Sequence, residues 1–598
     1  MSPRSAADRR LDYEAAGPAL RLGGKEAAPQ QPAGTDSDSV KTHVLSVALE
    51  DYFHVTPLQT VVREDRWNRF EMRLEASTRR TLDLLDECGA RATFFVLGWV
   101  ADAAPELVRE VADRGHEVAS KGYFHRPLRE AGPEAFREDA VRAREALERA
   151  VGHRVLGYRL AEQWLRPSDG WVLEALAESG YEYDSSVRLM LRTYADEPWR
   201  QFPYRTVVAG RSFLEVPLSS IRVCGLHVPI AGGNYFRQFP DFLVRRAVAH
   251  WTRHYAAPYV MYFHTWELDP DQPRINGVPL RQQVRQYRNL RKMPELLRHY
   301  LESYRFTSIA DYFELDRQPA PARAGRDGSA PPLPERSPPS PVATVRALTP
   351  VTVVVPCYNE QQSLPYLKNT LRSVVEQWAQ QYRFQFVFVD DCSADRTWET
   401  LQATFGADPG CTLMRHAENR GVAAAIQTGI HAARTEIVCS MDCDCTYDPH
   451  ELGRMIPLLT DGVDVVTASP YHPQGSVKNV PRWRLFLSKS LSRAYRVVIR
   501  QQLHTYTSCF RVYRRATAIG IPIERGGFFG ITEMLGRVDL AGGTIVEFPA
   551  TLEARMLGRS KMKILRTIAG HLGLLCQFVA LRLFRRLERD RRGGGRDG

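Results

Sequence analysis

No Cys-x-x-Cys pair occurs among the ten cysteines, which are scattered from Cys88 to Cys576. That absence removes the zinc-ribbon and disulfide-scaffold readings and points to a reducing compartment. The first forty residues have no apolar core between Arg9, Arg10 and Lys25, so they read as a disordered arm and not as a signal peptide or membrane helix. Only about fifteen uncharged residues separate Arg566 from Arg582, short of the ~20 that cross a bilayer. The basic residues are not interleaved with aromatics in a recognisable module, and no nucleic-acid partner is expected.

What is present is a globular composition: 44% hydrophobic and 25% charged residues, with a formal net charge of +11 over 598 residues. That length exceeds one core and predicts two to four domains. Eight prolines between Pro319 and Pro341, without apolar periodicity, mark an extended linker. The expected organisation is an arm at 1–40, an α/β domain at 41–315, a linker at 316–349, a second α/β domain at 350–565 and an amphipathic basic segment at 566–598.

In the first domain, the buried-strand pattern His43-Val44-Leu45-Ser46-Val47-Ala48-Leu49 ends on Glu50-Asp51-Tyr52-Phe53-His54. A helix is predicted over Leu74–Cys88, a second strand over Ala92–Gly98, and strand and helix alternate from there. Polar clusters fall where strands stop: His116-Glu117 to His125, Gly157-Tyr158-Arg159, Tyr183-Asp184-Ser185-Ser186 and His264-Thr265-Trp266-Glu267. Barrel-type α/β folds place their chemistry there.

These motifs, over roughly residues 43–313, resemble the polysaccharide deacetylase family with the NodB-type (β/α) barrel fold. The resemblance implies Asp51 and His125 as metal ligands, Glu50 as the base and His264 as the late acid of a deacetylation. Where the family has a second His ligand this chain has Lys121. An ammonium has no lone pair to donate, so Lys121 counts against zinc or another divalent ion and can stand in for it electrostatically against Asp51. Ala48 and Arg159-Leu160-Ala161-Glu162 also depart from the family pattern. The expectation is a degenerate deacetylase domain, with a bifunctional N-deacetylase and glycosyltransferase as the alternative.

The second domain opens on Val351-Thr352-Val353-Val354-Val355, a β-branched run suited to a parallel sheet, closed by Pro356-Cys357-Tyr358-Asn359-Glu360. A second strand ends on Asp390-Asp391, and a small-residue helix follows Asn419-Arg420-Gly421. A third strand, Glu436–Ser440, ends on Met441-Asp442-Cys443-Asp444. Carboxylates one residue apart at a strand end suit a hard cation shared with substrate phosphates. The repeated unit predicts a doubly wound sheet with a crevice at the strands' carboxyl ends.

Seven ordered motifs here, among them Asn419-Arg420-Gly421, Met441-Asp442-Cys443-Asp444, Thr507-Ser508-Cys509-Phe510-Arg511 and Arg555-x-x-Gly558-x-Ser560-Lys561, resemble family 2 glycosyltransferases of the GT-A fold, close to the dolichol-phosphate mannosyltransferase group. The resemblance implies that Pro356, Tyr358, Glu360 and Asp391 hold the base and ribose of a nucleotide sugar, with Arg511 also at the donor. It further implies that Asp442 and Asp444 bind the diphosphate through Mg²⁺ or Mn²⁺, Asp444 being catalytic, with Glu533 as candidate base. The acceptor expected is a polyprenyl phosphate or a polysaccharide. Arg582, Arg585, Arg586, Arg589, Arg591 and Arg592 follow the apolar C-terminal stretch, so the protein is expected in the cytoplasm, held peripherally on the anionic inner face of the plasma membrane.

Overall fold

The computed structural model of the protein describes residues 13–14, 41–124, 128, 132–161, 165–191, 194, 197–317, 348–524, 527–558 and 564–593. They fall into two compact units. One lies within Met1–Glu64, Met72–Gln272 and Pro279–Ala330, the other within Asp65–Glu71, Pro273–Val278 and Pro331–Gly598.

In the first unit, seven parallel strands form a curled sheet in the order Arg211–Glu215, Tyr183–Asp184, Gly157–Tyr158, Glu117–Ser120, Thr93–Val96, Thr42–Leu49 and Val260–His264. Arg305–Thr307 adds to Thr42–Leu49, and Tyr204–Val208 runs antiparallel beside Arg211–Glu215. The outermost parallel strands, Arg211–Glu215 and Val260–His264, do not pair with each other, so the sheet is a part-barrel. Thr42–Leu49 is buried along seven of its eight residues, as a strand covered on both faces should be. Glu50, Lys121, Arg159 and Ser185 each follow the last residue of a parallel strand, and Glu215 and His264 are last residues themselves. All six therefore collect at one end of the sheet.

The second unit is a doubly wound sheet. Its strand order is Cys411–Arg415, Tyr382–Asp390, Thr349–Cys357, Ile437–Ser440, Arg511–Arg514, Val465–Ser469 and Ile545–Pro549, with Arg511–Arg514 antiparallel to both neighbours. Helices Leu364–Trp378 and Thr397–Phe405 pack one face around Val353, Val355 and Phe388. The other face, around Val354, Val389 and Val438, is covered by Val422–Ala432, Arg482–Val498 and Gly527–Leu540. Helix Val422–Ala432 lies so close that a Cβ on Gly429 would come within 2.3 Å of Val354 Cγ1, which is why this helix is built of small residues. The chain reverses its winding between Thr349–Cys357 and Ile437–Ser440. The crevice at their carboxyl ends is where ligands bind in such sheets.

The basic C-terminal segment is part of one helix, Ile564–Gly593. The sequence suggests a segment whose apolar side is free for a membrane, but His571, Leu574 and Phe578 are buried, at the spacing of one helical face. Phe578 sits against Gly536, and the Tyr495 hydroxyl meets His571 Nδ1 at 2.9 Å. One face of that apolar stretch therefore completes the unit's core, leaving Ile568, Leu572, Val579 and Leu581 exposed. No helix among the described residues is long and apolar enough to cross a membrane.

Candidate functional sites

Strand Ile437–Ser440 delivers Asp442 and Asp444 to the crevice of the second unit. Asp442 faces a cavity of about 150 Å³ whose polar lining includes Tyr471, Ser488, Thr505, Thr507 and Ser508. Burial and the neighbouring Asp444 charge raise the Asp442 carboxyl above the usual range, opposed by a hydrogen bond from Cys509 and by the Arg555 charge. Two carboxylates destabilised by each other's charge are a donor set that a divalent ion relieves.

A side chain of the protein already supplies positive charge there. Arg555 donates from Nε to Asp444 Oδ2 at 2.6 Å, and its Nη1 lies 2.9 Å from Glu360 Oε1. Glu360 is held in turn by Ser363 Oγ, 2.9 Å from Oε2, and its backbone N–H donates to Thr397 Oγ1. Asp444 Oδ1 accepts from the Thr446 backbone N–H at 3.1 Å. Arg559, Ser560 and Lys561 of the same motif lie outside the described residues.

The other expected donor residues divide. Pro356 is buried in its strand, Tyr358 is exposed just beyond it, and Asn359 takes a left-handed conformation (φ 51°) that lets its Oδ1 accept from the Ala394 N–H at 2.6 Å. Asp391 reaches the same sheet edge, but its carboxylate accepts from the N–H of Arg420 (2.8 Å) and of Gly421 (2.7 Å) and meets His416 Nδ1 at 2.7 Å. It thus fixes the loop leading into helix Val422–Ala432.

Arg511 is not brought to the cavity. It is fully buried, donating to the carbonyls of Ile531 (2.8 Å) and Tyr506 (2.9 Å), because its strand is inserted in the middle of the sheet. Glu533 is likewise buried and paired with Arg537 Nη2 at 2.7 Å, a helix-anchoring contact away from the cavity lining. Sequence reading missed Tyr471, Ser488 and Thr505 as lining residues. Thr507 and Ser508 stand inside a motif named above, so their signal was there, whereas Ser488 on helix Arg482–Val498 had none.

In the first unit Asp51, the described member of the expected metal set, is occupied by backbone N–H groups. Asp51 Oδ1 accepts from the Tyr52 N–H (2.8 Å), and Oδ2 accepts from the N–H of Arg73 (2.7 Å) and of Leu74 (2.9 Å). Asp51 therefore caps helix Leu74–Glu87, and burial still pushes its carboxyl up to about 7. Lys121 pairs with Glu50 and not with Asp51. His264 Nδ1 lies 2.6 Å from Glu50 Oε1. The expected base is thus paired with an ammonium, with an imidazole close beside it. His125 lies outside the described residues, and no group of three or more His, Cys, Asp or Glu among the described residues could hold a metal ion. Among the described residues, Glu50, Asp51, Lys121 and His264 do not by themselves make a zinc site.

His116, expected near this centre, is buried beside Phe94 with neither ring nitrogen hydrogen-bonded among the described residues, and burial pulls its pKa down to about 4. Arg159 donates to Ser185 O (3.0 Å) and Ser185 Oγ (2.8 Å) and lies over the Phe95 ring. Asp184 and Glu215 form a buried carboxyl pair, both raised by burial.

Comparison with known proteins follows the same division. The profile of glycosyl transferase family 2 matches residues 352–519, that of polysaccharide deacetylase residues 65–181, and a domain of unknown function (DUF3473) residues 185–314. A polyprenol monophosphomannose synthase of Mycolicibacterium smegmatis is 30% identical over 227 residues, 37% of this chain and 83% of that protein. A dolichol-phosphate mannosyltransferase of Pyrococcus furiosus is 28% identical over 215 residues, 36% of this chain and 59% of that protein. An undecaprenyl-phosphate 4-deoxy-4-formamido-L-arabinose transferase of Pseudomonas paraeruginosa is 33% identical over 171 residues, 28% of this chain and 47% of that protein. With the doubly wound sheet, the acidic strand end and these relatives in agreement, the chain belongs to the family 2 glycosyltransferases and carries a polysaccharide deacetylase-type domain ahead of the transferase.

Proposed function

We propose that the second unit transfers a sugar from a nucleoside diphosphate to a polyprenyl phosphate. The observation that carries this reading is the pair Asp442 and Asp444 at the switch point of the sheet, one facing a cavity and the other held by Arg555. The relatives, each a transferase or synthase named for a polyprenol or its phosphate, support the acceptor class. Asp442 and Asp444 would hold Mg²⁺ or Mn²⁺, which when bound offsets the charge developing on the departing diphosphate. Pro356, Tyr358 and Glu360 lie at the same edge and are the residues to meet base and ribose, while Asp391 positions the Asn419–Gly421 loop.

An acceptor phosphate oxygen is already anionic and needs no general base to attack the anomeric carbon. Glu533, buried against Arg537, accordingly serves its helix. The exposed side of helix Ile564–Gly593, with Leu572, Val579 and Arg582, is the part of this unit suited to an anionic membrane surface. The first unit, its base paired with Lys121, is a deacetylase fold without deacetylation.

The test is release of nucleoside diphosphate from a panel of nucleotide sugars in the presence of a short polyprenyl phosphate and Mg²⁺ or Mn²⁺. One donor should give lipid-linked sugar, and Asp444→Asn should remove it. Equal turnover in that variant contradicts the reading.

A further inference from the structure

The first unit carries its own apolar surface, separate from the strand-end cluster of Glu50, Lys121 and His264. Phe239 and the first turn of helix Asp241–His254, with Phe242 and Leu243, are exposed, Phe242 to 69%. On helix Leu280–Tyr287, Leu280 is exposed to 74%, and Val284, one turn later on the same face, is exposed as well. The two segments are stitched together. Gln238 Nε2 approaches the carbonyls of Val284 and Arg285 at 3.4 Å each, and buried Arg237 donates from Nη1 to the carbonyls of Arg285 (3.1 Å), Gln286 (2.8 Å) and Arg288 (3.1 Å). The five apolar side chains therefore belong to one ridge. Exposed large apolar groups that cluster, unlike single ones, mark a surface made to be covered.

Charge around the ridge identifies the cover. Residues 234–254 contain four arginines and residues 280–292 contain five lysines or arginines, against a single acid, Asp241. That acid is paired with Arg245 at 2.6 Å, and Arg237 is paired with buried Glu267 at 2.7 Å. Arg246, Arg281, Arg285 and Arg288 remain exposed beside the apolar groups. A protein partner of ordinary composition would leave such a rim unneutralised, whereas an anionic bilayer accepts both components: apolar side chains about 5–10 Å deep at the acyl boundary, and guanidinium groups at the phosphates.

We infer that the first unit docks on an anionic lipid bilayer through the ridge Phe239, Phe242, Leu243, Leu280 and Val284, independently of helix Ile564–Gly593. The deacetylase-type fold then serves as a membrane-seating module of the transferase chain.

Co-sedimentation of the full chain with phosphatidylcholine vesicles, with and without phosphatidylglycerol, tests this at moderate salt. The triple substitution Phe242→Ser, Leu243→Ser, Leu280→Ser should lower the partition coefficient on the anionic vesicles about tenfold or more, with an unchanged thermal melt because all three side chains are exposed. Arg281→Gln, Arg285→Gln, Arg288→Gln should lower it on the anionic vesicles alone. Leu572→Asp, in the C-terminal helix, serves as the parallel variant. Loss of binding in Leu572→Asp with none in either ridge variant overturns the inference and leaves the C-terminal membrane reading standing; loss in the ridge variants alone does the reverse. A triple-serine variant that binds vesicles normally but halves the mass by light scattering would assign the ridge to a second copy of the chain and overturn the bilayer.

Discussion

Both units end an apolar strand on acidic residues, and in both a basic side chain has been drawn onto them. In the first, Lys121 is 3% exposed and Glu50 1%, with His264 alongside. In the second, Arg555 is 23% exposed and bridges Glu360 and Asp444. The difference is one of solvent. A buried ammonium cannot leave its carboxylate without two large desolvation costs, whereas a guanidinium on a solvent-facing loop can be replaced by a divalent ion. The same pairing is therefore a lock in one unit and, on the proposed function, a placeholder in the other.

The largest effect should come from removing the lock. Lys121→Met leaves Glu50 charged and buried, and should lower the stability of the first unit by about 3–5 kcal/mol, read as a shift of one transition in a thermal melt. Divalent ions should not restore it. Lys121→His should not create a zinc centre, because Asp51 remains turned onto the N–H groups of Tyr52, Arg73 and Leu74; metal content after dialysis checks this.

Acid bears next on buried histidines in both units. His116 and His43 in the first unit and His571 in the second are held neutral by burial, each pulled down to about 4. Since the folded pKa lies below the unfolded value near 6.5, the folded state binds fewer protons between the two. The associated stability is complete above about pH 6.5 and lost as pH falls toward 4. Each group contributes at most about 3 kcal/mol, a loss on acidification that the raised buried carboxyls Asp51, Asp184 and Glu215 oppose in the first unit. His116→Gln should flatten that dependence in a pH series of melts; an unaltered slope would show that His116 is not the source.

The smallest effect belongs to the placeholder. Arg555→Met should cost about 1–2 kcal/mol, and added Mn²⁺ should recover it. It should also raise the affinity for Mn²⁺ alone, measured by loss of the free-ion paramagnetic resonance signal, because the ion no longer displaces a guanidinium. Weaker Mn²⁺ binding in the variant would make Arg555 a support of the ion site and not its competitor.

Much of this was legible in the chain. Val351–Val355 and Val44–Leu49 are runs that only a doubly covered strand explains, and the acids after them fall where such strands stop. Asp442 and Asp444 could thus be placed without coordinates. Arg511 could not, because its inward direction depends on an antiparallel strand entering the sheet between Ile437–Ser440 and Val465–Ser469, an order that spacing does not encode. The partner of Lys121 was misread for a similar reason: Glu50 and Asp51 are neighbours on opposite sides of one strand end, and only the position of Leu74 decides which carboxylate turns to the helix. The C-terminal helix was read by composition, which does not reveal that His571, Leu574 and Phe578 face the core.

One assay addresses the central claim, that transfer resides in the second unit and the first is chemically silent. The full chain is incubated with its nucleotide sugar, a polyprenyl phosphate, Mg²⁺ and a chito-oligomer, and nucleoside diphosphate and acetate are measured together. The account predicts nucleoside diphosphate release that Asp444→Asn abolishes, by about a thousandfold or more, and no acetate above that of Glu50→Gln. Acetate release that Glu50→Gln or Asp51→Asn eliminates, or unchanged nucleoside diphosphate release in Asp444→Asn, would contradict it.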